Sequence, residues 1–234
     1  MPGVTVIIPT LNEVDSIGRV IAEIPKDIVH EIIVADSGST DGTQAAARAT
    51  GARVLELQAR GYGRACAAAA DAADPQCDIV VFMDGDGADR ADLLHRLVDP
   101  IRANAQDFVI AARVKRWREA HSMSMHQIIA GYVLGFAIGM VTGTRYTDMC
   151  AFRAIRLDAL QRLGLREMTY GWNIEMQIQA ARHGFRIVEV PLPYRCRIGG
   201  ESKVAGSLQG TIRASWRIIA TFIRVSSSGR RAVP

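Results

Sequence analysis

The sequence predicts an α/β fold, a mostly parallel central sheet with helices on both faces, and three observations carry that prediction. Short apolar runs recur at residues 4–8, 31–35, 53–57, 78–83 and 107–112. Segments of helical period separate them, and the polar residues gather in the loops that follow the runs. Strands that alternate with helices need crossover connections, which place helices on both faces of a parallel sheet.

The first strand, residues 4–8, is stopped by Pro9, which cannot donate to a ladder. After the polar Asn12, Ile17, Val20, Ile21 and Ile24 fall at helical spacing. The second strand ends at Asp36 and opens Ser37-Gly38-Ser39-Thr40-Asp41-Gly42, with Asp41 at the expected N-cap of an alanine-rich helix from Thr43. A short third strand leads through Arg60-Gly61-Tyr62-Gly63-Arg64 into a helix over 65–73. The fourth strand ends in Asp84-Gly85-Asp86-Gly87, and Leu93, Leu94, Leu97, Val98 and Ile101 mark the helix after it. Beyond the fifth strand the alternation stops. Residues 122–141 read as a helix, 186–190 as a strand ended by Pro191, and 208–225 as a terminal helix. No repeat or proline-rich linker divides the chain, which predicts one domain over 1–206, an amphipathic helix over 207–225 and a frayed tail over 226–234.

With 234 residues, 49% hydrophobic and 22% charged, the composition is that of a globular protein. No uninterrupted apolar run reaches the roughly 18 to 20 residues of a membrane span, the nearest being residues 128–141. Cys66, Cys77, Cys150 and Cys196 lie far apart without zinc-site spacing, which predicts reduced thiols and a cytoplasmic location. Charge is divided unevenly. Residues 1–112 carry 9 Lys and Arg against 17 Asp and Glu, whereas residues 113–234 carry 19 against 7. An acidic half can hold a cation and a basic half attracts phosphate groups or an anionic membrane face, although segregated solvated faces give the same count.

Ligands of such sheets bind beyond the carboxyl ends of the strands, where four loops present carboxylates, glycines and an arginine. Asp84 and Asp86 leave a buried strand on the same side of the chain. That pair suits a hard divalent ion, Mg²⁺ or Mn²⁺, which takes its other ligands from water and substrate phosphates; an Asp-Gly turn is the alternative. Asp36 can accept hydrogen bonds from a nucleobase or sugar, or close an Asx-turn. Gly61 and Gly63 allow a backbone to approach a phosphate, with Arg64 beside it. The first strand-helix turn has no glycine fingerprint, and no phosphate-binding loop of the Gly-x-x-x-x-Gly-Lys type occurs.

These residues resemble the inverting glycosyltransferases of family 2, which have the nucleotide-sugar-binding GT-A fold. Val6-Ile7-Ile8-Pro9-Thr10-Leu11-Asn12-Glu13 is similar to the opening strand and nucleotide loop, Ala35-Asp36-Ser37-Gly38-Ser39-Thr40-Asp41-Gly42-Thr43 to the base-binding loop, and Asp84-Gly85-Asp86 to the DxD motif. The second half resembles the dolichol-phosphate mannose synthase branch and its polyprenyl-phosphate relatives. That likeness rests on Gly61-Tyr62-Gly63-Arg64-Ala65, on Asp148 with Phe152-Arg153, and on Glu175-Met176 leading to Arg197-Ile198-Gly199-Gly200-Glu201-Ser202-Lys203. The chain departs from the branch at Gly87 and Ala88, where a hydrophobic residue and a polar, metal-holding one are usual.

The resemblance implies transfer of a sugar, of the UDP-glucose or GDP-mannose type, with inversion. Pro9, Leu11, Glu13, Asp36, Ser37, Gly61, Gly63, Arg64, Asp84 and Gly85 would bind the nucleotide sugar, Asp84 and Asp86 the metal. Asp86, Glu175, Arg197 and Lys203 would act in catalysis, so that residues 1–112 form a nucleotide and metal half and residues 113–206 an acceptor half. The basic cluster Arg113-Val114-Lys115-Arg116-Trp117-Arg118 favours an anionic acceptor, a polyprenyl phosphate held by Arg113, Lys115, Arg116, Arg197 and Ser202. A soluble or glycan hydroxyl acceptor, with Glu175 as general base, is the alternative; the start of a helix is another place for that glutamate. Nucleic-acid binding fits the basic half alone: aromatic residues are few, at 6%, and the acidic half repels polyanions. A nucleotidyltransferase would need a glycine-rich, Arg-Lys-bearing loop after strand one, and there is none. In the terminal helix Leu208, Ile212, Trp216, Ile219 and Ile223 share one face and Arg213, Arg217 and Arg224 another. With Arg230 and Arg231 beyond, this predicts peripheral attachment to the inner membrane face, with packing on the domain or in a homodimer as alternatives.

Overall fold

The computed structural model describes residues 3–199 and 208–227. Its strands are β1 Gly3–Thr10, β2 Glu31–Asp36, β3 Arg53–Glu56, β4 Cys77–Phe82, β5 Phe108–Ala112, β6 Arg153–Arg156 and β7 Ile187–Pro191. They form one sheet in the order β3-β2-β1-β4-β6-β5-β7, parallel throughout except that β6 runs antiparallel to both its neighbours. Around it lie α1 Val14–Glu23, α2 Thr43–Ala49, α3 Tyr62–Asp71, α4 His95–Arg102, α5 Met125–Thr142, α6 Leu157–Arg162, α7 Trp172–Arg182 and α8 Leu208–Ser227. The core runs along the sheet through Val6, Ile8, Ile33, Val80, Phe82, Phe108 and Ile110, all buried. All four cysteines are free thiols.

Strand β6 carries no period in the sequence. Its four residues include Arg153, fully buried because carbonyl oxygens receive its guanidinium: those of Cys150, of Ala151 at 3.3 Å and of Asn173 at 3.4 Å. Asp41 is not the N-cap of α2. Gly42 takes that position at φ 99°, while the Asp41 carboxylate accepts the N–H of Thr43 at 3.0 Å and of Val14 at 3.1 Å, tying together the starts of α1 and α2. Helix α3 starts at Tyr62, three residues earlier than the alanine run indicated.

Helix α5 opens on a Ser124–Gln127 capping box and closes on Gly143 at φ 81°. Its 18 residues are enough by length and composition to cross a membrane, where the sequence reading stopped at residues 128–141. Helix α8 packs on the domain through Ala214, Thr221 and Val225, with Ile218 and Phe222 half-buried against the core. Ile212, Trp216, Ile219 and Ile223 remain outside. Arg182 closes its last turn by donating to the carbonyls of Val225 and Ser226, at 2.6 and 2.9 Å. Ser226 and Ser227 are therefore helical instead of frayed, and the predicted tail beyond them, with Arg230 and Arg231, lies outside the described residues, as do the side chains of Leu208 and Arg213.

Candidate active site

The parallel register of β1 and β2 brings Thr10 beside Asp36, so the loops beyond them interlock. Asp36, fully buried, accepts from the Thr10 hydroxyl at 3.0 Å, the N–H groups of Gly38 and Ser39 at 3.1 and 2.9 Å, the Ser39 hydroxyl, and the Gln44 amide at 2.6 Å. Its lone pairs are thus used inside the loop, and Asp36 takes the Asx-turn alternative, shaping the wall instead of presenting a free acceptor to a base. Asn12 laces the same wall: its N–H donates to Ser39 Oγ at 2.8 Å and its side-chain oxygen accepts the Thr40 N–H at 2.9 Å. Pro9, Leu11 and Glu13 are half-buried along this edge, and buried Ser37 donates its N–H to Thr10 at 2.9 Å.

Beyond β4, Gly85 lies against β1, its carbonyl held by the Ser16 hydroxyl at 2.7 Å; a Cβ there would come within 3.1 Å of Thr10. Asp86 turns the chain by accepting the Ala88 N–H at 3.0 Å. Asp89, which the sequence reading did not single out, is buried and accepts the Asp84 N–H at 3.2 Å. Its only signal was a third aspartate in a short acidic run. Burial and the charges of Asp86 and Asp89 push Asp84 well above the usual carboxylate range, and burial with Asp86 pushes Asp89 up to about 7. Such mutual repulsion is a negative potential that a bound cation relieves. No group of three or more His, Cys, Asp or Glu suited to a metal occurs among the described residues. Asp84 and Asp86 therefore fit an ion that completes its shell from water and substrate phosphates, as Mg²⁺ and Mn²⁺ do.

The segment before Gly200 crosses this acidic end. Ile198 donates its N–H to the Asp86 carbonyl at 2.9 Å, and Arg195 reaches the Asp89 carbonyl at 3.1 Å while pairing with Glu23 at 2.6 Å. Arg197 lies between two carboxylates, 3.4 Å from Glu13 and 3.6 Å from Asp86. Ser202 and Lys203 lie outside the described residues.

Other expected residues have different employment. Gly61, at φ 151°, and Gly63 sit beneath the segment before α7, where a Cβ would meet the Met168 and Glu167 carbonyls at 2.4 and 2.3 Å. The N–H groups of Gly63 and Arg64 donate to Thr169 and Met168, at 3.2 and 3.0 Å. Donors expected to face a phosphate are thus consumed by a loop contact, and the Arg64 side chain is exposed. Arg113 is bound to Asp148 through Nε at 2.7 Å and Nη2 at 2.5 Å, and its guanidinium lies 5.1 Å from the Tyr194 ring centre. Burial opposes the charge of Asp148, but the Arg113 hydrogen bonds and charge outweigh it and hold the carboxyl below its usual range. Lys115 and Arg116 stand exposed on a short 3-10 turn, Lys115–Trp117.

Glu175, only 2% exposed, has both oxygens engaged. Oε2 accepts the N–H groups of Arg166 and Glu167, at 2.9 and 2.6 Å, and Oε1 lies 3.3 Å from Arg224 of α8. Arg224 also pairs with Glu167, so it belongs to the inner side of α8 and not to an outer basic face. A cavity of about 370 Å³ bordered by Cys77, Asp78, Arg102 and Arg156 lies at the opposite, amino-terminal end of β4. The carboxyl rim alone combines the acidic pair, Arg197 and the interlocked loops.

A mostly parallel sheet with one inserted antiparallel strand and an acidic pair at the end of β4 defines a GT-A glycosyltransferase. The chain belongs to glycosyl transferase family 2, whose family model matches residues 5–164. An uncharacterized glycosyltransferase of Mycobacterium tuberculosis is 34% identical over 224 residues, covering 93% of this chain and 98% of that protein. The undecaprenyl-phosphate mannosyltransferase of Micrococcus luteus is 31% identical over 222 residues, 88% of this chain and 89% of its own. Among solved structures, glucosyl-3-phosphoglycerate synthase from M. tuberculosis with Mn²⁺, UDP-glucose and phosphoglyceric acid superposes with a TM-score of 0.76 at 25% identity, covering 99% of this chain and 82% of that one.

Proposed function

We propose that this glycosyltransferase moves a hexose from a nucleotide sugar to a polyprenyl phosphate, with Mg²⁺ or Mn²⁺ held by Asp84 and Asp86. The observation that carries the choice of acceptor is the engagement of Glu175. A hydroxyl acceptor needs a base to take its proton, and the glutamate offered for that work is tied to two backbone N–H groups and Arg224. A phosphate monoester is already an anion. Its oxygen attacks the anomeric carbon as the bond to the diphosphate breaks, the electron pair leaves with the diphosphate, and no proton has to move. The names of relatives such as the M. luteus mannosyltransferase support this acceptor, and the Mn²⁺ and UDP-glucose bound to the M. tuberculosis synthase support the donor and ion.

In this reading the cation would stabilise charge on the departing diphosphate. Arg197, beside Asp86, adds positive charge there, and Lys203 is the further cation that the sequence offers for the same work. Pro9, Leu11, Glu13, Ser37 and Gly85 line the nucleotide side, while Asp36, Gly61 and Gly63 fix its walls and Arg64 stands at its outer edge. Lys115, Arg116 and Ser202 receive the acceptor phosphate, and Arg113 holds that loop in place through Asp148. The enzyme works at the cytoplasmic membrane face, with the outer stripe of α8 as an attachment. Phosphoglycerate in the synthase complex favours a second reading, a small phosphorylated acceptor that reacts through a hydroxyl. Labelled UDP-glucose and GDP-mannose, each with Mg²⁺ or Mn²⁺, offered polyprenyl phosphate or phosphoglycerate, test the choice. Metal-dependent transfer of label into the organic phase is expected; label found only on the water-soluble acceptor contradicts the proposal.

A further inference from the structure

Helix α5 is packed inside out. Gly131, Gly135 and Ile138 are buried, and a Cβ on Gly135 would fall 1.9 Å from the Tyr146 carbonyl. A Cβ on Gly139 would fall 2.8 Å from the Arg145 side chain. The bulky residues face away from the domain: Met125, Ile129, Tyr132, Val133, Phe136 and Met140 are 54 to 73% exposed. Projected at about 100° per residue they form one stripe roughly 100° wide along the whole helix, the pattern of a face buried against something apolar. Nothing among the described residues covers it.

Charge says what does. From residue 120 to residue 147 there is no Asp or Glu. Arg145 lies at one end of the stripe, its guanidinium 5.7 Å from the Phe136 ring centre. At the other end Arg118 contacts Met123 Sδ at 3.6 Å, bringing the turn of exposed Lys115, Arg116 and Trp117 beside the start of the helix. A stripe of Met, Ile, Tyr, Val and Phe bracketed by cations and an exposed tryptophan matches an anionic lipid surface. The helix is about 27 Å long, but its glycine side lies against residues 145 and 146, so it can lie in a membrane face and cannot cross the membrane while so packed.

We propose that α5 is a membrane-docking helix, its outer stripe immersed at the headgroup boundary of an anionic bilayer with Arg145 against the headgroups and Trp117 at their level. This deepens the lipid-phosphate reading and rests on it for its purpose, since β5 and the loop holding Asp148 carry the docked surface to the catalytic rim. Flotation with vesicles of equal parts phosphatidylglycerol and phosphatidylcholine, containing neither prenyl phosphate nor nucleotide sugar, tests it apart from catalysis. The full chain should float with these vesicles, bind pure phosphatidylcholine far less, and release in high salt. Ile129→Ser with Phe136→Ser should lower binding roughly tenfold or more, and Arg145→Glu should lower it on anionic vesicles only. Should the double variant unfold, Tyr132→Trp provides the same test through a blue shift of the introduced indole's emission on vesicle addition. Binding that survives the α5 substitutions but is lost with Trp216→Ser and Ile223→Ser, or an emission from the Tyr132→Trp variant that vesicles leave unshifted, overturns the proposal. So does a dimer in sedimentation that the α5 substitutions split without vesicle binding, which would make the stripe a subunit interface. Failure here leaves the acceptor to its own assay.

Discussion

Asp84, Asp86 and Asp89 crowd three carboxylates into six residues at the end of β4, where burial first and the neighbouring carboxylates second raise Asp84 and Asp89 above the usual carboxylate range. Asp86→Ala should remove the metal-dependent part of nucleotide-sugar affinity in calorimetry and lower transfer roughly 100-fold or more, while the metal-free protein keeps or gains thermal stability. Elsewhere the repulsion is replaced by attraction. Hydrogen bonds and charge from Arg186 outweigh burial at Asp107 and pull it down to about 2. A depressed carboxylate adds stability that is complete above its ordinary range, at about pH 4, and is lost as pH falls through its folded value. The Tm gap between the wild type and Asp107→Asn should therefore be full at pH 5 and shrink steadily toward pH 2; a gap that does not change with pH would contradict the pairing.

Among the elements, α3 and α7 are joined by the segment that lies on Gly61 and Gly63. Gly63→Ala forces a methyl to 2.3 Å from the Glu167 carbonyl and should cost about 2 kcal/mol in denaturant unfolding, with metal affinity unchanged in the folded fraction. Tight glycines were legible in the sequence as places of close approach, but not what approaches: a phosphate and a carbonyl leave the same mark. Strands β1 to β5 and β7 announced themselves through apolar runs, whereas β6 depends on a buried arginine that only the carbonyls of Cys150, Ala151 and Asn173 can explain. In α5 the sequence shows that the helix is apolar all round, and only the packing reveals that glycines face inward. Likewise Asp84 and Asp86 were legible as a pair leaving a strand, while the saturation of Asp36 and Glu175 depends on donors from Gln44, Arg166 and Arg224 that no local pattern announces.

Over the whole molecule, the acidic first half and basic second half meet across the rim. Arg195 pairs with Glu23, and Arg197 lies between Glu13 and Asp86. Charge asymmetry in the sequence thus corresponds to one side of the site closing on the other. Helix α8 completes the fold as well as displaying a stripe, because Thr221 and Arg224 bind Glu167, and Arg224 also binds Glu175. A chain ending near Gly206, where the sequence predicts the domain to end, should lose several degrees of Tm and expose the core beneath Ile218 and Phe222. Unchanged thermal unfolding of that chain would show that α8 is an accessory.

An anionic acceptor and a structural Glu175 are put to the test by the rate of transfer to polyprenyl phosphate by Glu175→Gln, measured below the variant's lowered Tm. Turnover should stay within about tenfold of the wild type with the same pH dependence, since no proton is taken from the acceptor. A loss of roughly a thousandfold, with nucleotide-sugar binding intact and the protein folded, would make Glu175 the base and the acceptor a hydroxyl.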